Sequence, residues 1–253
     1  MSPKYVAGLT LIAAAAAAIR LVGLRSLPIF GDEAIYLRLA RIVRGAPTEH
    51  LWIPLKIPNA PLHVWLIALG LPISSDPVVA GRFLSVLFGV LLVAALAFAA
   101  DRLEKTFSSE SRSSLWAAAL AALSPFLAFS DRIARPESLF AFETVFAAAL
   151  SLSIASRPRP LAPAIAFGVL MGVTMLTRQA VSYSLWLLPP VAFACVRRRD
   201  WRTLAVPLAV AAAIALAMWI PMLTAKGWPG LSDRIFHLGA TRPALPAGER
   251  AEL

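Results

Sequence analysis

The sequence predicts an all-α, polytopic membrane protein on three observations. Hydrophobic residues make up 59% of the 253-residue chain and its mean hydropathy is +0.73, above the roughly one-half apolar content usual in soluble domains. Apolar runs approaching the about 20 residues that span a bilayer recur along the chain as far as residue 223. Only 15% of residues are charged, and the net charge of +10 gathers mainly between those runs. A basic excess placed this way belongs to loops and lipid phosphates, so a nucleic-acid partner is not expected. The single cysteine, Cys195, excludes an intrachain disulfide framework and any multi-cysteine metal site.

The first apolar run, Val6 to Leu24, carries Lys4 before it and Arg20 in its last turns. It reads as a retained first span; a cleaved signal peptide is the alternative, and both place the next residues across the membrane. From Arg25 to Gly81 no run is a clear span, and prolines punctuate it at 28, 47, 54, 58, 61, 72 and 77. Within it, the stretch after Gly31 predicts an amphipathic helix, with Ile35, Leu39, Ile42 and Val43 on one face and Arg38, Arg41 and Arg44 on another. Such a helix suits the headgroup layer. The short apolar piece Pro61 to Leu71 cannot cross about 30 Å of hydrocarbon and predicts a second interfacial helix.

Six further spans are expected at about Phe83 to Ala100, Leu115 to Phe129, Leu139 to Ala155, Leu161 to Leu176, Val181 to Val196 and Leu204 to Leu223, giving about seven in all. If they alternate, Lys4, then Arg102, Lys105 and Arg112, then Arg157 and Arg159, then Arg197, Arg198, Arg199 and Arg202 fall on one side. The positive-inside rule makes that side, and the N-terminus, cytoplasmic. An eighth span at Pro61 to Leu71 would break the alternation. Residues 1–223 thus form one transmembrane domain with an extracytoplasmic loop at 26–81, and residues 224–253 form an extracytoplasmic tail.

The opposite side collects a mixed set: Asp32 and Glu33 after the first span, Asp131, Arg132, Arg135 and Glu137 between the third and fourth, and Arg178 between the fifth and sixth. Arg20 and Arg82 stand at helix ends on that side. Arginines against the positive-inside bias, beside acids, suit an anionic lipid headgroup: guanidinium for phosphate oxygens, carboxylate for a proton or a divalent ion such as Mg2+ or Mn2+, with Asp32 and Glu137 the pair for a metal. Snorkelling and local ion pairing are the plainer explanation for any one of them, and a helix cap the plainer one for Asp32. His63 and Trp65 read as packing and interface anchors, and His50 and His237 have no partner at metal-binding spacing. No phosphate-binding glycine loop, dinucleotide fingerprint or nucleophile elbow is present.

Five segments in order carry a resemblance: Gly31-Asp32-Glu33-Ala34-Ile35-Tyr36 with Leu39-Ala40-Arg41; Asn59-Ala60-Pro61-Leu62-His63-Val64-Trp65; Ala80-Gly81-Arg82-Phe83-Leu84-Ser85; Leu123-Ser124-Pro125-Phe126 running to Arg135-Pro136-Glu137-Ser138; and Leu176-Thr177-Arg178. The chain resembles the N-terminal half of membrane glycosyltransferases of the GT-C class, in the protein O-mannosyltransferase-like group that includes aminoarabinose transferases. The resemblance implies inverting transfer of a sugar from a polyprenyl-phosphate donor to a lipid, glycan or protein acceptor on the extracytoplasmic face. It implies Asp32 as general base, Glu33 as its neighbour in positioning, and Glu137, with Asp131 nearby, as a second acid. Arg82, Arg135 and Arg178 would hold donor phosphate. Where the family often reads Lys-Pro-Pro-Leu this chain reads Asn59-Ala60-Pro61-Leu62, leaving Lys56 as the substitute cation. Relatives continue beyond the position of Leu253, so an N-terminal portion or a shortened member is expected. A non-catalytic headgroup-binding or transport protein is the alternative function.

Overall fold

The computed structural model describes residues 3–51, 61–106, 113–156, 160–178 and 187–224, with side chains to residue 218. These form α1 (Pro3–Leu21), α2 (Gly31–Gly45), α3 (Pro47–His50), α4 (Pro61–Gly70), α5 (Pro77–Thr106), α6 (Ser113–Leu123), α7 (Pro125–Ser130), α8 (Glu137–Ser156), α9 (Leu161–Thr177), α10 (Leu188–Arg198) and α11 (Arg202–Thr224), with one 3-10 turn at Leu71–Ile73 and no strand among them. The protein is an all-α integral membrane protein. By length and composition, α1, α5 and α8 are each sufficient to cross a membrane, while α4, α6, α9 and the described part of α11 are shorter apolar helices.

The expected run at 115–129 is two helices. Pro125 lacks the amide an uninterrupted helix needs, and the Ser124 hydroxyl accepts a bond from the Leu127 amide at 3.4 Å, starting a new helix there. Residues 181–186 of the expected span at 181–196 lie outside the described residues, and α10 covers the span from Leu188 on.

Small residues let the long helices approach closely. Ala16 of α1, Val93 and Ala97 of α5 and Ala118, Ala121 and Ala122 of α6 form one buried cluster. A second joins α8, α9, α10 and α11 through residues including Leu150, Ile154, Phe167 and Val191. Gly168 and Gly172 of α9 face α11 so closely that a Cβ at 172 would lie 2.8 Å from the Ile214 Cβ. The third cluster packs α2 on α4 through Leu37, Leu39, Ala40, Val43, Val64 and Ile67, with Ala134 from the segment before α8.

The buried face of α2 differs from the expected one. Leu37, Leu39, Ala40 and Val43 are inside, while Ile35 is 44% exposed. The reason is Glu33, which is fully buried and starts the inward stripe that Leu37 and Ala40 continue at helical spacing. A carboxylate with one place to go sets the rotation of the helix more firmly than an isoleucine, whose burial is worth only about 1.5–3 kcal/mol.

Two buried ion pairs tie the helices together at one end. Arg20, in the last turn of α1, meets Asp131 at 2.8 Å and donates to the Ala121 and Ala122 carbonyls, so it also caps the end of α6. Asp131 further accepts from the Ser138 hydroxyl at 2.6 Å. This carboxylate stands where a Cβ on Gly89 would be, in direct overlap with Oδ2. Gly89→Ala is therefore expected to lower stability by about 1–3 kcal/mol, as overpacking does, read as an earlier thermal unfolding midpoint in detergent. At the other end of the bundle, Arg198 donates to the Ile154 and Ala155 carbonyls at 2.9 and 2.6 Å, capping α8.

Candidate active site

The second buried pair builds the floor of the site. Arg82, one turn into α5, meets both oxygens of Glu33 at 2.7 Å. Its remaining donors go to the carbonyls of Leu24, Leu27 and Pro28, so all five guanidinium N–H groups are engaged. Glu33 accepts in turn from the Ala134 amide at 2.9 Å and the Phe30 amide at 3.3 Å. Burial pushes the Glu33 carboxyl up, but the Arg82 guanidinium and these amides outweigh it and hold it below its usual 4.5. One carboxylate thus connects α2, α5, the segment after α1 and the segment before α8.

That connection places the exposed groups. Asp32 precedes Glu33, and adjacent helical residues point about 100° apart, so burying Glu33 turns Asp32 outward. The Asp32 side chain is 64% exposed, and its Oδ2 lies 3.5 Å from Nη2 of Arg135. Arg135 follows Ala134, the residue Glu33 holds, and its Nη2 also lies 3.0 Å from Oε1 of Glu137 in the first turn of α8. Arg178, just past the end of α9, stands 3.9 Å from the same Glu137 oxygen and 5.6 Å over the Phe140 ring. The sequence Asp32, Arg135, Glu137, Arg178 is a chain of alternating charge on a partly exposed surface.

Four of the expected site residues therefore come together, and three do not join them at the surface. Glu33 is fully buried beneath Asp32. Arg82, expected on donor phosphate, has its guanidinium fully engaged within the fold, and Asp131, expected as a second acid, is buried against Arg20. Lys56 lies outside the described residues. Asp32 does not cap α2: the N-cap position is Phe30, and Glu33, at the third helical position, bonds its amide.

For a divalent ion the fit is poor. Between Asp32 and Glu137 sits the Arg135 guanidinium, and among the described residues no three His, Cys, Asp or Glu side chains converge as a metal cluster. No step below goes through a metal.

Two residues that sequence reading passed over adjoin the cluster. Tyr36, one turn after Asp32, feels the charges of Glu137, Asp32, Arg135 and Arg178. Burial, with the two carboxylates, raises its phenol above 10, so it stays protonated beside them. Its ring stands edge-on to His63 of α4 at 5.3 Å. His63 is fully buried, and burial pushes the imidazole down to about 4 although the Ala134 backbone favours the charged form. Glu143, inside α8, is 1% exposed and accepts from the Thr177 hydroxyl at 2.8 Å. Spacing from Asp32 was the available signal for Tyr36; for Glu143 it was an acid within an apolar helix.

The structure is thus an all-helical membrane bundle with acids and partly exposed guanidinium groups gathered at one end. The chain belongs to the dolichyl-phosphate-mannose-protein mannosyltransferase family, whose model matches residues 58–224. That makes it a membrane glycosyltransferase of the GT-C type in the general sense. No curated protein and no solved structure matches the chain.

Proposed function

We propose that this protein transfers a sugar from a polyprenyl-phosphate donor to an acceptor hydroxyl on the extracytoplasmic face, with inversion at the anomeric carbon. The observation that carries the reading is the placement of an exposed carboxylate, Asp32, 3.5 Å from a guanidinium that is only partly buried, in a chain of the mannosyltransferase family. The acceptor, whether lipid, glycan or protein, supplies the nucleophile.

In this scheme the acceptor oxygen attacks the anomeric carbon while Asp32 takes its proton. The bond from that carbon to the bridging phosphate oxygen breaks, and polyprenyl phosphate leaves with the electron pair. Arg135 and Arg178 counter the charge that develops on the leaving phosphate. Both arginines have edges free of the buried network: their side chains are 40% and 48% exposed. Glu137 holds the two arginines side by side, and the protonated Tyr36 adds a hydrogen-bond donor next to them. The acceptor side is extracytoplasmic because the basic loops of the other end set the orientation.

The direct test incubates membranes holding the protein with labelled polyprenyl-phosphate sugars and a mixed acceptor extract. Transfer is expected in the wild type, and Arg135→Ala should raise the donor KM about tenfold, the loss of one charged hydrogen bond. Headgroup binding or flux with no transfer would replace the enzyme by a binding or transport protein.

A further inference from the structure

We propose that Glu143 and Thr177 form a buried clasp that sets the position of Arg178, making Glu143 a positioning residue for donor phosphate from inside the bundle. The inference rests on the reading of Arg178 as a phosphate arm. Helix α9 ends at Thr177, and Arg178 leaves it in extended backbone, φ −143° and ψ 128°, its amide still bonded to the Thr174 carbonyl at 3.0 Å. Where the guanidinium stands is thus decided by where the last turn of α9 is held. Thr177 is fully buried, and its hydroxyl donates to Oε1 of Glu143 at 2.8 Å. Among the described residues Arg178 contacts Glu137 at 3.9 Å and the Phe140 ring at 5.6 Å, both on the same helix as Glu143. These three contacts at the end of α9 therefore all run to α8, and the deepest is the carboxyl.

Stability alone is a poor explanation for this carboxyl. Oε2 of Glu143 accepts no hydrogen bond among the described residues, since Thr174, which faces the same carboxyl, gives its hydroxyl to the Leu170 carbonyl at 2.8 Å. A buried carboxyl with one open oxygen is unfavourable in an apolar bundle, and a leucine of similar size would avoid that penalty. Thr177 without its partner can turn back to a carbonyl of its own helix. What a leucine cannot do is fix the register of α9 against α8 at the turn that carries Arg178.

The experiment compares Glu143→Leu and Glu143→Gln with the wild type. Glu143→Leu is expected to raise the donor KM about five- to tenfold, with kcat within about twofold and thermal stability equal or higher, while Glu143→Gln, whose amide oxygen accepts the same bond, keeps the wild-type KM. In an Arg178→Cys, Cys195→Ala background, the alkylation rate at position 178 should change with Glu143→Leu and not with Glu143→Gln. An unchanged KM or alkylation rate in the leucine variant overturns the clasp, as does a glutamine variant that behaves like the leucine one. A wild type that transfers nothing overturns the proposed function instead, and the alkylation rates still decide the clasp.

Discussion

Asp32→Asn is expected to abolish sugar transfer while leaving the amount of folded protein unchanged. Removal of a positioned general base typically costs about a hundred- to ten-thousand-fold in rate, and asparagine keeps the size and polarity of the residue while losing its proton affinity. The structure makes the substitution clean. Asp32 is mostly exposed, its ion-pair partner among the described residues is Arg135 at 3.5 Å, and it is not the cap of α2. A surface pair of that kind contributes about 0–1 kcal/mol to stability, so thermal unfolding of the variant should match the wild type. Full transfer by Asp32→Asn would remove Asp32 as the base and direct attention to Glu137, the other partly exposed acid of the cluster.

The opposite behaviour is expected one residue later. Arg82→Leu leaves a fully buried Glu33 carboxylate without its counter-ion, a loss of about 3–5 kcal/mol that should be seen as poor accumulation and a lower unfolding midpoint in detergent. Glu33→Leu combined with Arg82→Leu is expected to recover a large part of that loss, because it removes both buried charges. If Arg82→Leu folded as well as the wild type but failed to bind donor, Arg82 would be a phosphate ligand after all. Acid should act through the same place. The Glu33 carboxyl is held below 4.5, so the folded chain binds fewer protons there than the unfolded chain, and its contribution is complete above 4.5 and lost as the pH falls below it. His63 adds an earlier loss. Its imidazole is lowered from 6.5 to about 4, so the neutral folded form is favoured above 6.5 and stability falls between 6.5 and 4 as the unfolded chain takes up the proton. His63→Phe should flatten that first portion of the stability profile and leave the Glu33 portion in place.

Much of the architecture was legible from the chain because bilayer solubility is written in composition. Apolar length marks α1, α5 and α8 directly, and the proline and glycine pattern isolates α2 and α4 from them. The break at Ser124-Pro125 was legible in principle and was overridden by hydropathy, which counts apolar residues and not missing amides. The partners of the charged residues were not legible. Nothing in the spacing of Arg20 and Asp131, 111 residues apart, says that they meet.

The two acids of α2 show where the boundary lies. From the residues alone, Asp32-Glu33 is a pair of adjacent carboxylates at the start of an amphipathic helix, with only the family resemblance to name Asp32 as the base, and with Arg135, Glu137 and Arg178 they mark one rim of the bundle as its polar end. Charge placement between apolar runs determined that much, because hydrocarbon admits charge only at helix ends or in pairs. Which acid stays at the surface was decided only in three dimensions. Arg82 takes Glu33 with both oxygens, that bond fixes the rotation of α2, and the turn of about 100° between neighbouring helical residues then leaves Asp32 facing out toward Arg135.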